Sequence, residues 1–167
     1  AKGSPAAITQ VVGVNDEGTA DSMPNVTDES FFDAEKRITD MIHSYGTKHI
    51  VQLFHRGRNA ASDKGLRPIA PSNVPSGIYR NECEVMTAEK IEETVKAFAD
   101  AALKLKEIGV DAVEVSMSAG YLLSLFFSPI TNLRDDEYGG DEERRMKAPL
   151  DVLRAIRKAV GKDYPVI

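Results

Sequence analysis

Residues 113–140 run VEVSMSAGYLLSLFFSPITNLRDDEYGG, and the path of the chain through them decides the fold. Val113-Glu114-Val115 has the short β-branched pattern of a buried strand, and Leu122 to Phe127 has the apolar density of a short helix. Between them stand the small residues Ser116, Ser118, Ala119 and Gly120, and then Tyr121. A strand that bends through small residues into a helix is a βα unit. Tyr121 falls where the first turn leaves backbone N–H groups without intrahelical partners, a setting that favours a developing anion or phenolate. The charged segment beyond closes on Gly139-Gly140, as a loop should.

The same alternation continues upstream. Ala6 to Val14, AAITQVVGV, reads as a buried strand closed by Asn15-Asp16-Glu17-Gly18. Ser30 and Asp33 resemble a capping box, and Phe31, Ala34, Ile38, Met41, Ile42 and Tyr45 then keep helical spacing until Gly46. His49 to His55, HIVQLFH, predicts a second strand. Arg56 to Met86 is a loop of about 30 residues, long enough to be functional or folded on itself. Thr87 opens a helix whose apolar stripe is Ile91, Val95, Phe98, Ala102 and Leu105, ending at Gly109.

Asp111 to Met117 is the third strand. A last helix is predicted from Glu142 to Val160, with Pro149 marking either a kink or its proper start. Tyr164 to Ile167 reads as the opening of a fourth strand. Strands that alternate with helices give a parallel sheet with right-handed crossovers. No GxGxxG or GxxxxGK[ST] follows any strand, so the reading is α/β and a (β/α) barrel rather than a doubly wound nucleotide fold.

Composition narrows the partners. The 167 residues carry a net charge of −5, against the basic face that nucleic acid or an anionic membrane needs. Hydrophobic residues at 42% and charged residues at 28% fit one soluble domain, 1–167. The single cysteine, Cys83, rules out an internal disulfide, and no Cys/His cluster suggests a metal. A cytoplasmic location is the expectation, with neither a membrane-spanning run nor a signal-peptide pattern.

Chemistry in a barrel sits after the C-terminal ends of strands. Gln52 is an amide inside the buried run IVQLF, suited either to a structural hydrogen bond or to pairing with a planar heterocycle. His55-Arg56-Gly57-Arg58 offers either a phosphate or carboxylate grip or a solvated loop. His43 and His49 read as surface histidines. Tyr121 could anchor its helix in the core or serve as a general acid.

Three segments, IVQLFHRGR, PIAPSNVPSG and GYLLSLFFSPITNLRDDEYGG with Glu143-Arg144, together with the run from Met86 to Val115, resemble the Old Yellow Enzyme family. That family comprises FMN-dependent oxidoreductases, also called NADH:flavin oxidoreductase/NADH oxidase, and includes ene-reductases and 2,4-dienoyl-CoA reductases. The resemblance implies a (β/α)8 TIM barrel of which this chain covers about half, roughly strands 2 to 5. It implies FMN as cofactor, NADH or NADPH as reductant and an electron-poor alkene or related small molecule as substrate. By the same resemblance Gln52 and the backbone N–H of Val11 would hold the flavin ring, and Tyr121 would protonate the substrate.

Two departures qualify these expectations. Where the family places a His and a His or Asn that donate to the substrate oxygen, this chain has Ser116 and Ala119. Ser116 remains a substrate-binding candidate with one short donor, whereas the Ala119 side chain has none. The family's phosphate-binding strands have no counterpart here, so FMN could be absent from this partial chain. A homo-oligomer, or completion by further barrel segments, is therefore expected. The rival expectation is a catalytically silent binding or assembly module.

Overall fold

A computed structural model describes residues 4–20, 22–60, 65–80 and 82–167. The chain passes through strand β1 (Ala6–Gly13), helix α1 (Phe31–Ser44), strand β2 (Lys48–Phe54), the short strands β3 (Ile69–Ala70) and β4 (Glu84–Val85), and helix α2 (Ala88–Glu107). Strand β5 (Ala112–Val115), helix α3 (Leu122–Phe127) and helix α4 (Glu142–Val160) complete it.

The main sheet has the order β1-β2-β5, and both pairings are parallel. Beyond β5, Val166 bridges Val113 in parallel, which sets the fourth strand expected at residues 164–167 beside the third. The sheet is an arc of successive βα units in chain order, as in a barrel. The predicted 30-residue loop is indeed folded on itself, since β3 and β4 pair across it in parallel.

Alternation divides the sheet into two faces. Val51, Leu53, Val113 and Val115 face the helices, packing with Phe98, Ala102 and Leu105 of α2 and with Val152, Ile156 and Val160 of α4. The opposite face carries Ile50, Gln52 and Phe54 of β2, with Ala112 and Glu114 of β5 in register. Ile8 and Val11 extend that face across β1, opposite Ile50 and Gln52. It corresponds to a barrel lumen and is unevenly covered: Ile8 is 54% exposed, whereas Phe54 and Ala112 are buried.

The helix ends show which local signals act. Thr87 caps α2 by accepting from the Lys90 N–H, and Asp141 caps α4 by accepting from the Arg144 N–H. The capping box expected at Ser30 is not formed. Ser30 has helical φ and ψ and its side chain caps nothing, so α1 begins from packing of Phe31 rather than from a cap. Pro149 lies within α4, which already begins at Glu142; Pro149 is not its start.

His49 is not a surface residue. It is fully buried, with Nδ1 paired to Thr39 Oγ1 at 2.9 Å and Nε2 to Thr9 Oγ1 at 3.2 Å. Because Thr39 Oγ1 donates its proton to the Glu35 carbonyl, His49 Nδ1 must be the donor in that pair. Burial lowers the His49 pKa and raises that of Glu35, whose carboxylate stands 3.3 Å from Nε2. His43 has a partner that spacing could not suggest, Asp111, at 2.5 Å.

Asp111 also accepts from Lys48 Nζ and from the His49 backbone N–H. Partial burial would push its pKa up, but these hydrogen bonds and His43 bring it down to about 2. This cluster joins α1, β2 and β5 at the end of the sheet opposite the strand C-termini.

Candidate functional site

Toward the strand C-termini lie the site candidates Val11, Gln52, Ser116 and Tyr121, whereas His43 and His49 lie at the opposite end of the sheet. Val11, Gln52 and Glu114 are aligned across β1, β2 and β5 as a single row on the lumen face. The β1 ladder is irregular between Ile8 and Val11, a break of the kind that re-aims side chains and backbone groups near sites. Gln52 Nε2 donates to Glu114 Oε1 at 2.6 Å, and among the described residues this is the only hydrogen bond of the amide. One N–H and the carbonyl of Gln52 remain for a further partner.

Two residues further along the same face, Phe54 meets Tyr121 edge-on, with ring centroids 5.3 Å apart and an angle of 86°. Tyr121 is the N-cap residue of α3 and has an extended backbone. Its carbonyl accepts from Leu125 N and Ser124 Oγ, and its own N–H donates to the Ser118 carbonyl. The backbone and ring are thus fixed, while the hydroxyl makes no hydrogen bond among the described residues. The half-buried Tyr121 is accordingly not a core anchor through its oxygen.

The bend before Tyr121 uses two consecutive left-handed residues, Ala119 with φ +58° and Gly120 with φ +75°. The Gly120 carbonyl accepts from Asn59 Nδ2 at 3.2 Å, and the Leu122 N–H donates to the His55 carbonyl at 2.9 Å. The loop after β2 therefore braces the turn after β5. Ser116 lies just past β5, where its N–H donates to the Leu53 carbonyl at 2.9 Å and leaves it 8% exposed.

The HRGR side chains engage their own loop, while His55 Nε2 and Arg58 Nε are buried without a hydrogen-bond partner among the described residues. His55 is buried; its Nδ1 accepts from the Gly57 N–H at 3.0 Å, and its ring lies against Gly18. Burial, with a smaller contribution from the Lys90 charge, lowers its pKa to about 3. Arg56 stacks on Tyr79 and donates to its hydroxyl, while Arg58 donates to the carbonyls of Val74 and Pro75.

The segment from Thr131 to Gly140 is likewise a built loop. Asn132 Nδ2 donates to the carbonyls of Phe126 and Tyr138, and Arg134 reaches Asp136 and the carbonyls of Pro71 and Met86.

Glu114 was not among the candidates from sequence. The signal was available: an acidic side chain between two core valines, two residues from Ser116. No group of three or more His, Cys, Asp or Glu among the described residues could hold a metal ion. No helix there is long and apolar enough to cross a membrane.

Residues 2–167 match the model of the NADH:flavin oxidoreductase / NADH oxidase family. The chain is 43% identical over 156 residues to a metal reductase of Desulforamulus reducens, covering 93% of this chain and 23% of that protein. It is 40% identical over 141 residues to an NADH oxidase of Thermoanaerobacter brockii, covering 83% and 22%. To an NADPH dehydrogenase of Clostridium acetobutylicum it is 32% identical over 161 residues, covering 96% and 47%.

Among solved structures, Old Yellow Enzyme from Pichia sp. AKU4542 superposes with a TM-score of 0.85 at 32% identity, covering 95% of this chain and 45% of that one. A 2-naphthoyl-CoA reductase bound to 2-naphthoyl-CoA gives 0.89 at 32%, covering 97% and 27%. The chain therefore spans between about a quarter and about a half of the relatives it matches. Its arc of βα units is part of their (β/α)8 barrel, as the sequence led us to expect.

Proposed function

Since the chain belongs to the NADH:flavin oxidoreductase / NADH oxidase family, we propose that it forms the flavin-facing part of an FMN-dependent oxidoreductase that takes reducing equivalents from NADH or NADPH. The observation that carries this reading is the Val11–Gln52–Glu114 row. One N–H of Gln52 is committed to Glu114, and the remaining N–H and carbonyl form a donor–acceptor edge on the lumen face. That edge fits the ring carbonyls and nitrogens of a flavin, so the residues present suit the group. FMN would supply hydride transfer when bound.

The chain's own groups would do the rest. Gln52 would orient the ring, with the Val11 backbone N–H beside it. Tyr121, held by Phe54 and by its N-cap position, would present an unengaged phenol O–H from which a substrate carbon can take a proton. Ser116 would offer one hydroxyl to a substrate oxygen, with no second donor from the Ala119 side chain. The substrate class in this reading is an electron-poor alkene or related small molecule; one structural relative is a reductase in complex with 2-naphthoyl-CoA.

Titration of FMN against the protein, followed by flavin fluorescence, tests the first part; no binding by the complete protein overturns it. Stopped-flow measurement of the two half-reactions tests the second. Tyr121→Phe should slow alkene reduction by about a hundredfold or more and leave NAD(P)H-driven flavin reduction nearly unchanged. Equal slowing of both steps would remove Tyr121 from the proton-donor role.

A further inference from the structure

Glu114 is the one acidic group on the lumen row, and nothing in the proposed redox step uses it. It stands between Val113 and Val115, both buried in the core, so the alternation of β5 forces its side chain onto the Gln52 side. Among the described residues it makes no ion pair, and its only side-chain hydrogen bond is the one from Gln52 at 2.6 Å. Glu114 is half-buried, and among the described residues Gln52 alone hydrogen-bonds to its side chain.

The geometry fixes what Glu114 does to Gln52. A carboxylate oxygen accepts and does not donate, so the group facing it must be the amide NH2. Turning the amide over would bring two oxygens to 2.6 Å, which their repulsion forbids. A glutamine amide that could otherwise present either end to the lumen is thereby held in one orientation.

We propose that Glu114 is a positioning residue. It locks the Gln52 amide so that one N–H and the carbonyl meet a planar heterocycle in a single register. The inference rests on the flavin reading above and adds a residue that acts on the cofactor only through Gln52. Pre-ordering a polar side chain strengthens binding because its rotamer freedom is already lost before the ligand arrives.

Two measurements test it, one without flavin. In 15N-labelled protein free of FMN, the Gln52 side-chain amide should show one proton shifted downfield and protected from exchange, assigned by its loss in Gln52→Leu. Glu114→Ala should abolish that signature. Glu114→Gln, of nearly the same shape, should weaken it, since its carbonyl accepts the bond without enforcing the orientation.

The second measurement is a cycle of FMN dissociation constants for the protein with Glu114→Gln, Gln52→Leu and both. Glu114→Gln should weaken binding about tenfold where Gln52 is present and have almost no effect in the Gln52→Leu background. An equal loss in both backgrounds overturns the proposal, because Glu114 would then act on its own. An amide signal that Glu114→Ala leaves in place also overturns it, while FMN binding itself would leave the flavin reading standing. If the amide signal behaves as expected and no variant binds FMN, it is the flavin reading that falls, and the proposed role toward the cofactor falls with it.

Discussion

At position 119 the backbone holds an alanine at φ +58°, where a Cβ crowds the neighbouring carbonyl at a cost of roughly 1–2 kcal/mol. Ala119→Gly should therefore stabilise the fold by about 1 kcal/mol, read as a higher urea midpoint with an unchanged slope. Gly120, at φ +75°, should show the opposite sign when replaced by alanine. His55 sets a second expectation, this one in pH. Its folded pKa, about 3, lies below the unfolded value near 6.5, so the unfolded chain binds the extra proton first.

Stability linked to His55 is complete above about pH 6.5 and falls as the pH drops toward 3, by at most about 1.4 kcal/mol per unit. Denaturation at a series of pH values should show this slope, and His55→Gln should flatten it. The histidines also mark the limit of reading single residues. His49 stands at a strand entrance, which suggests exposure, but Glu35, Thr39 and Thr9 close over it from other elements. Glu114 was visible as an acid between valines, yet its partner Gln52 lies 62 positions away and only the register joins them.

At the scale of elements, the strands and helices were legible because their periodicities are strong and Thr87 is a conventional cap. The segment from 128 to 140 was legible as a family mark and much less so as a device. Its residues mainly build a loop: the Arg134 side chain, only 9% exposed, ties that loop to the carbonyls of Pro71 and Met86 and to Asp136. Those carbonyls flank β3 and the start of α2, so one guanidinium joins three stretches of chain. Arg134→Ala leaves buried carbonyls unpaired and should cost about 2–4 kcal/mol, seen as a lower melting temperature. Arg134→Lys should recover little of that loss, because an ammonium cannot fork to several acceptors at once. A substitution that touches none of the lumen-row residues should leave the Gln52 amide signal unchanged.

The whole molecule is an arc whose two faces are covered unequally. The helix side of the sheet is packed by α2 and α4, whereas Ile8 on the lumen side is 54% exposed and β1 forms an edge of the described sheet. Open parallel strands of this kind are almost always covered on both faces, and an uncovered apolar edge recruits further strands. This chain spans only 47% of the NADPH dehydrogenase and 45% of the Pichia enzyme, so each of those chains is about twice as long as the segment matched.

We therefore expect the 167 residues, prepared alone, to self-associate in a concentration-dependent way. Sedimentation velocity should show it, and Ile8→Lys, which places a charge on the lumen face, should shift the balance toward monomer. FMN affinity of this isolated arc should also fall well below that of a form in which the remaining strands complete the lumen. A stable monomer at high concentration that binds FMN as tightly as the completed form would mean that the row on β1, β2 and β5 suffices for the cofactor. The covering of the lumen would then serve substrate access rather than flavin binding.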